Sequence, residues 1–141
     1  MVEILLAHSD EEILSCYDVV VQLRPVFTQT SFLQQVKKQM SEKYNLAYLK
    51  VGEEVCAVAG YRYSECLAWG KFLYVDDLVT SDNQRSNGYG KLLLDWLLQQ
   101  AKNNECQQLH LDSGIQRIEA HRFYNREGLE FTSQHYAVEI I

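Results

Sequence analysis

Chemistry-bearing residues concentrate in one stretch of the chain. Asp76 and Asp77 stand side by side in Lys71-Phe72-Leu73-Tyr74-Val75-Asp76-Asp77-Leu78-Val79, whose aromatic and β-branched residues predict a central strand. A carboxylate there can accept a proton directly or through water. Successive strand residues face opposite sides, so at most one of the pair serves a given face unless a bulge intervenes. Further on, the chain runs Arg85-Ser86-Asn87-Gly88-Tyr89-Gly90-Lys91 into an amphipathic segment. A strand that leaves its sheet through a polar loop and enters a helix at glycines offers an anion free backbone N–H groups and the positive end of a helix dipole. The loop is not that of a nucleoside-triphosphate site, because Lys91 is followed by Leu92. It also lacks the third glycine and the later acidic residue of a dinucleotide fingerprint. The pattern reads as phosphate binding beside a candidate proton acceptor.

These residues need elements to hold them, and periodicity supplies the order β-α-α-β-β-β-α-β-α-β-β. After a strand over residues 2–7, the Ser9/Glu12 capping box starts a helix that must end near Arg24, because Pro25 disfavours a helical residue before it. A Ser31/Gln34 box predicts a second helix over 31–44. Residues 46–51 and 55–61 flank Gly52-Glu53 as a hairpin, and a loop is expected around 64–70 before the carboxylate-bearing strand. Residues 88–103 carry Leu93, Leu94, Leu97, Leu98 and Ala101 on one helical face, and 108–112 follow as a strand, which suggests a parallel crossover. A last helix over 116–126 stops at Gly128, with strand-like segments at 129–131 and 136–140.

The 141 residues predict a single domain, 1–141, with no linker or repeat. A net charge of −6 argues against a general binder of nucleic-acid backbones, which needs a clustered basic face. No apolar run approaches the roughly 18 residues of a membrane span, and the N-terminus lacks a basic signal region, so the cytoplasm is the expected location. Cys16, Cys56, Cys66 and Cys106 form no C-x-x-C pair, so neither a metal nor a redox motif is expected and buried free thiols are the plainer reading.

The loop at 85–90 resembles the [Q/R]-x-x-G-x-[G/A] signature of the GNAT N-acetyltransferase superfamily. Ala120-His121-Arg122-Phe123-Tyr124-Asn125-Arg126-Glu127-Gly128-Leu129 is similar to that family's A-x-x-[hydrophobic]-Y-x-x-x-G-[hydrophobic] helix, and the element order agrees. The resemblance implies an α/β fold with a mixed sheet of about six to seven strands, flanked by four helices and split between strands 4 and 5. It further implies acetyl-CoA as donor, its pyrophosphate on the amides of Arg85, Ser86, Asn87, Gly88, Tyr89, Gly90 and Lys91, and its pantetheine arm on the backbone of Leu78 and Val79.

By the same resemblance an amine attacks the thioester directly, Tyr124 matches the general acid that protonates the departing thiolate, and Asp77 is favoured over Asp76 as base. His110, His121 and His135 rank below the aspartates, and Cys106 has no adjacent base to make it a nucleophile. Where members often carry Asn, three residues before the alanine of the last helix, this chain has Arg117. The acceptor is a small-molecule amine or a protein lysine or N-terminus, which the sequence does not distinguish. A non-catalytic acyl-CoA sensor or scaffold is the other class of reading, and pairing of terminal strands leaves a homodimer open.

Overall fold

The computed structural model describes residues 1–141 as two compact units, 1–110 and 111–141. The first contains β1 (Val2–Leu6), α1 (Asp10–Ser15), α2 (Tyr17–Leu23), α3 (Gln29–Met40), β2 (Asn45–Val51), β3 (Glu54–Cys66), β4 (Gly70–Thr80), α4 (Tyr89–Asn103) and β5 (Gln108–Leu111), whose last residue opens the second unit. The sheet order is β1-β2-β3-β4-β5, antiparallel through the first four strands. β5 joins β4 in parallel after the α4 crossover, and the sheet is split between them. Gln107 N–H donates to Lys71 O at 2.7 Å, at the start of β4. Four residues of β5 at about 3.3 Å each cannot accompany the eleven of β4, so the distal edge of β4 lies beyond β5.

Alternation along β3 divides the core. Val58 belongs to the apolar cluster of Ile13, Cys16, Val19, Val20, Phe32 and Val36 from α1, α2 and their neighbours. Tyr61, of opposite parity, meets Trp96 of α4 edge-on at 5.9 Å. Helices therefore cover both faces. Leu93, Leu94, Leu97 and Ala101 of α4 are buried as the period predicts, while Leu98 is half-buried.

Several expected boundaries move for local reasons. The first helix is two, α1 and α2, broken at Cys16: the Ser15 hydroxyl donates to Glu12 O at 2.6 Å, and Cys16 N–H turns to Ile13 O. α3 starts at Gln29, because Thr28 is the N-cap and Ser31 its reciprocal partner at the third helical position. β3 runs on through Cys66, which shortens the expected loop to residues 67–69.

The second unit holds α5 (Ile118–Arg126), which begins two residues later than expected. It closes as a Schellman turn: Gly128 has φ +92°, its N–H donates to Asn125 O, and Leu129 N–H donates to Tyr124 O at 3.0 Å. The six to seven expected strands are five, because residues 129–131 and 136–140 form none. Tyr136, Val138 and Ile140 alternate as a strand would, but alternation supplies an apolar face and no backbone partner, and residues 130–141 are exposed. The helices number five, with a 3-10 turn at Asp82–Gln84. No helix is long and apolar enough to cross a membrane.

Candidate active site

A bulge in β4 separates the two aspartates. Gly60 of β3 faces Asp77 and Tyr61 faces Val75, so Asp76 is the extra residue with no partner of its own. Each carboxylate then finds its own arginine. Arg62, on β3, grips Asp76 through both oxygens, Nε to Oδ2 at 2.8 Å and Nη2 to Oδ1 at 3.0 Å. Its guanidinium lies 5.3 Å above the Tyr74 ring, and the bonds to Asp76 push its pKa up. Arg24, the C-cap of α2, donates from Nε to Asp77 Oδ1 at 2.9 Å and from Nη2 to Asp76 O at 3.0 Å. Asp77 Oδ2 accepts from the Tyr44 hydroxyl at 2.7 Å. Burial, then the Asp77 charge, pushes the Tyr44 pKa well up, which keeps that hydroxyl a donor. The Asp77 side chain is 17% exposed and that of Arg24 45%, so the carboxylate is sheltered while its ion-pair partner reaches solvent.

Beyond the bulge, Leu78 and Val79 pair with Ala59 and Val58, and the chain leaves the sheet at Thr80. The loop that follows is pinned from two sides. Asp82 N–H donates to Gln22 Oε1 at 2.8 Å, and the Gln22 amide reaches Ser81 Oγ at 3.3 Å. Gln84 Nε2 donates to Glu54 Oε2 at 2.7 Å and its carbonyl oxygen accepts from Asn87 Nδ2 at 3.0 Å. Arg85 pairs with Asp82 at 3.0 Å, and Lys91 with Asp95 at 3.1 Å. Ser86 has φ +77° and Gly88, the N-cap of α4, φ +78° in the left-handed region. No side chain caps α4. The N–H groups of Tyr89, Gly90 and Lys91 therefore open the helix without the side-chain acceptor that a Ser or Asp cap would give, the arrangement that suits an anion. A Cβ built on Gly88 meets nothing within 4 Å, so the glycine is needed for its backbone angle and for clear approach to the amides.

Tyr124 belongs to the second unit, in the last full turn of α5, where its ring meets that of Phe123 at 5.4 Å. Burial pushes its hydroxyl up, with Arg117 pulling the other way, and the net effect keeps the phenol protonated. Arg117 is the N-cap of α5 and makes no side-chain cap bond. In the loop before it, Ser113 Oγ is buried without a hydrogen-bond partner, and His121 Nε2 lies 2.7 Å from Gly114 O.

The fold agrees with comparison to known proteins. A model of the acetyltransferase (GNAT) family matches residues 11–129. The chain belongs to that family. The uncharacterized N-acetyltransferase YhdJ of Bacillus subtilis (strain 168) is 33% identical over 129 residues, 91% of this chain and 90% of that protein. Among solved structures, a transcriptional regulator from Bacillus halodurans C-125 has a TM-score of 0.87 at 19% identity, over 99% of this chain and 100% of the other. Aminoglycoside N-acetyltransferase AAC(6')-Iy, in complex with CoA, has a TM-score of 0.86 at 11% identity, over 99% and 95%. These two likenesses are of fold. Membership makes the chain a GNAT transferase of the N-acetyltransferase kind.

Within this GNAT fold, β4 and the loop after it bring Asp76, Asp77, Leu78, Val79 and residues 85–91 into one continuous segment of the first unit. Sequence reasoning missed their supports: Gln22, Arg24, Tyr44, Gly60 and Arg62. Gly60 carried a signal, since a glycine inside an apolar strand marks a bulge or a close approach. Arg24 was visible only as the residue before Pro25, and Tyr44 only as the end of a helix.

Proposed function

We propose that residues 1–141 act as one domain that transfers the acetyl group of acetyl-CoA to a primary amine, by direct attack within a ternary complex. The observation that carries this reading is the start of α4: a left-handed glycine cap, no side-chain acceptor, and the loop held from both sides by Gln22 and Glu54. It suits the pyrophosphate of acetyl-CoA, with Arg85, Ser86, Asn87, Gly88, Tyr89, Gly90 and Lys91 supplying amides and flanking charge. The backbone of Leu78 and Val79, on the stretch of β4 beyond the reach of β5, would hold the pantetheine arm.

The residues divide the proton work as follows. Asp77 takes a proton from the acceptor ammonium, directly or through water, which frees the nitrogen lone pair to attack the thioester carbonyl. As the carbon–sulfur bond breaks, Tyr124 donates its phenolic proton to the thiolate, and the second proton, which the nitrogen loses as it becomes the amide, passes through water to restore the phenol. The raised pKa of the half-buried Tyr124 supports the protonated form this role needs. Asp77 is preferred to Asp76 because it adjoins Leu78 and Val79, the donor-binding edge; both oxygens of Asp76 are held by the single guanidinium of Arg62, whereas those of Asp77 take separate donors, Arg24 and Tyr44.

Titration calorimetry with acetyl-CoA, and with CoA, ATP and NAD as controls, tests the donor. Transfer to kanamycin, glucosamine 6-phosphate, spermidine, lysine and a short peptide then tests the acceptor class. Selective acetyl-CoA binding with turnover on any of these supports the enzyme. Binding with no transfer would favour an acyl-CoA sensor, and no binding would remove the donor assignment. Tyr124→Phe should leave stability within about 0.5 kcal/mol and lower turnover about 100-fold; unchanged turnover would take Tyr124 out of the mechanism.

A further inference from the structure

Tyr44 is 8% exposed and packs in the core cluster with Phe32, Val36 and Val58, yet its hydroxyl ends on a carboxylate. The approach requires special backbone at both ends. Lys43 adopts φ +74°, and Tyr44 N–H returns to Gln39 O at 3.0 Å, which turns the chain out of α3 and aims the ring across the sheet. At the far end, the hydroxyl crosses β3 at Gly60, where a Cβ would lie within 1.6 Å of the Tyr44 oxygen and 2.7 Å of Asp77 Oδ2. A glycine in a strand interior costs about 0.5–1 kcal/mol relative to alanine, so this opening is retained against a local disadvantage.

Asp77 thus receives one donor on each oxygen, Arg24 Nε on Oδ1 and Tyr44 Oη on Oδ2, and its carboxylate plane is fixed. The other charged groups around it are Asp76, beside it on β4, and Arg62 of β3, which pair with each other. Arg24 is a half-exposed surface partner; Tyr44 is built in.

We propose that Tyr44, admitted by the gap at Gly60, is a positioning residue that sets the orientation in which Asp77 meets the acceptor amine. The proposal rests on Asp77 being the base. It matters only for acceptors that arrive protonated, because an amine already neutral needs no proton removed before attack.

Ethylamine and 2,2,2-trifluoroethylamine are close in shape, but at neutral pH the first is an ammonium and the second largely neutral. Acetylation of each from acetyl-CoA is measured for the wild-type protein, Asp77→Asn and Tyr44→Phe, with thermal melts to confirm folding. Asp77→Asn should lower kcat about 100-fold and Tyr44→Phe about tenfold with ethylamine, both less than about threefold with trifluoroethylamine, with the KM for acetyl-CoA unchanged. A Tyr44→Phe loss that is equal for both amines, or absent, while Asp77→Asn loses only ethylamine, overturns the positioning role and leaves the base. Asp77→Asn active on both amines overturns the base and the proposal with it. Wild-type protein that acetylates neither these amines nor the acceptor panel removes the reaction in which Tyr44 would take part.

Discussion

α1 and α4 begin in opposite ways. At α1, Ser9 and Glu12 satisfy each other's backbone N–H groups at 3.0 and 3.1 Å, and α3 does the same with Thr28 and Ser31. At α4, a left-handed glycine stands where the capping side chain would be. The chain therefore closes α1 and α3 from within, while α4, like α2 and α5, starts without a side-chain cap and alone of these three does so at a left-handed glycine. Donors satisfied internally contribute to stability, and donors left open are available to a ligand. The left-handed glycine, more than the missing cap, sets the start of α4 apart from the other helix starts.

Substitutions at the two kinds of helix start should part stability from binding. The largest effect is expected for Gly88→Glu, which puts a like charge in front of the open amides: acetyl-CoA affinity should fall at least about 100-fold by calorimetry. Its Cβ meets open space, so the structural cost is the left-handed backbone, about 1 kcal/mol, or a melting temperature lower by about 3 °C. Thr28→Ala should reverse the balance, costing about 1 kcal/mol in a denaturant titration with no change in acetyl-CoA affinity.

Glu12 adds a pH test. The backbone N–H groups of Ser9 and then His8 hold its carboxyl down to about 2 from 4.5. The stability it contributes is whole above pH 4.5 and is lost as pH falls toward about 2. Glu12→Gln should flatten stability across that window while acetyl-CoA affinity at neutral pH stays as it was. A mutant with the full acid dependence would place that dependence in other carboxylates. The smallest effect is expected for Gln22→Ala, which unties one side of the loop and should weaken acetyl-CoA about two- to threefold through lost preorganisation; a fall as large as that of Gly88→Glu would make Gln22 a ligand contact.

Local signals carried most of the fold. The Ser9/Glu12 box, the leucine stripe of α4 and Gly128 as a left-handed stop all act within a few residues, and each stands where spacing put it. What failed depended on partners distant in sequence. Tyr136, Val138 and Ile140 alternate correctly, but a strand also needs a neighbour's hydrogen bonds, which no local pattern reports. The candidate site divides in the same way. Residues 85–91 form one contiguous pattern that a sequence displays whole, whereas the Asp77 environment joins residues 24, 44, 60 and 77 from separate elements. That the two aspartates would escape strict alternation was readable as a condition, a bulge, but only the register showed where it falls.

The gap at Gly60 has an evolutionary corollary. No side chain at position 60 coexists with a tyrosine hydroxyl in its present place, so the two positions should vary as a pair among relatives. A lineage that loses Tyr44 for a shorter residue frees position 60 to take alanine or serine, and it must then orient the residue at position 77 by other means. Chains with Tyr at 44 should hold glycine at 60 almost without exception, whatever their overall divergence.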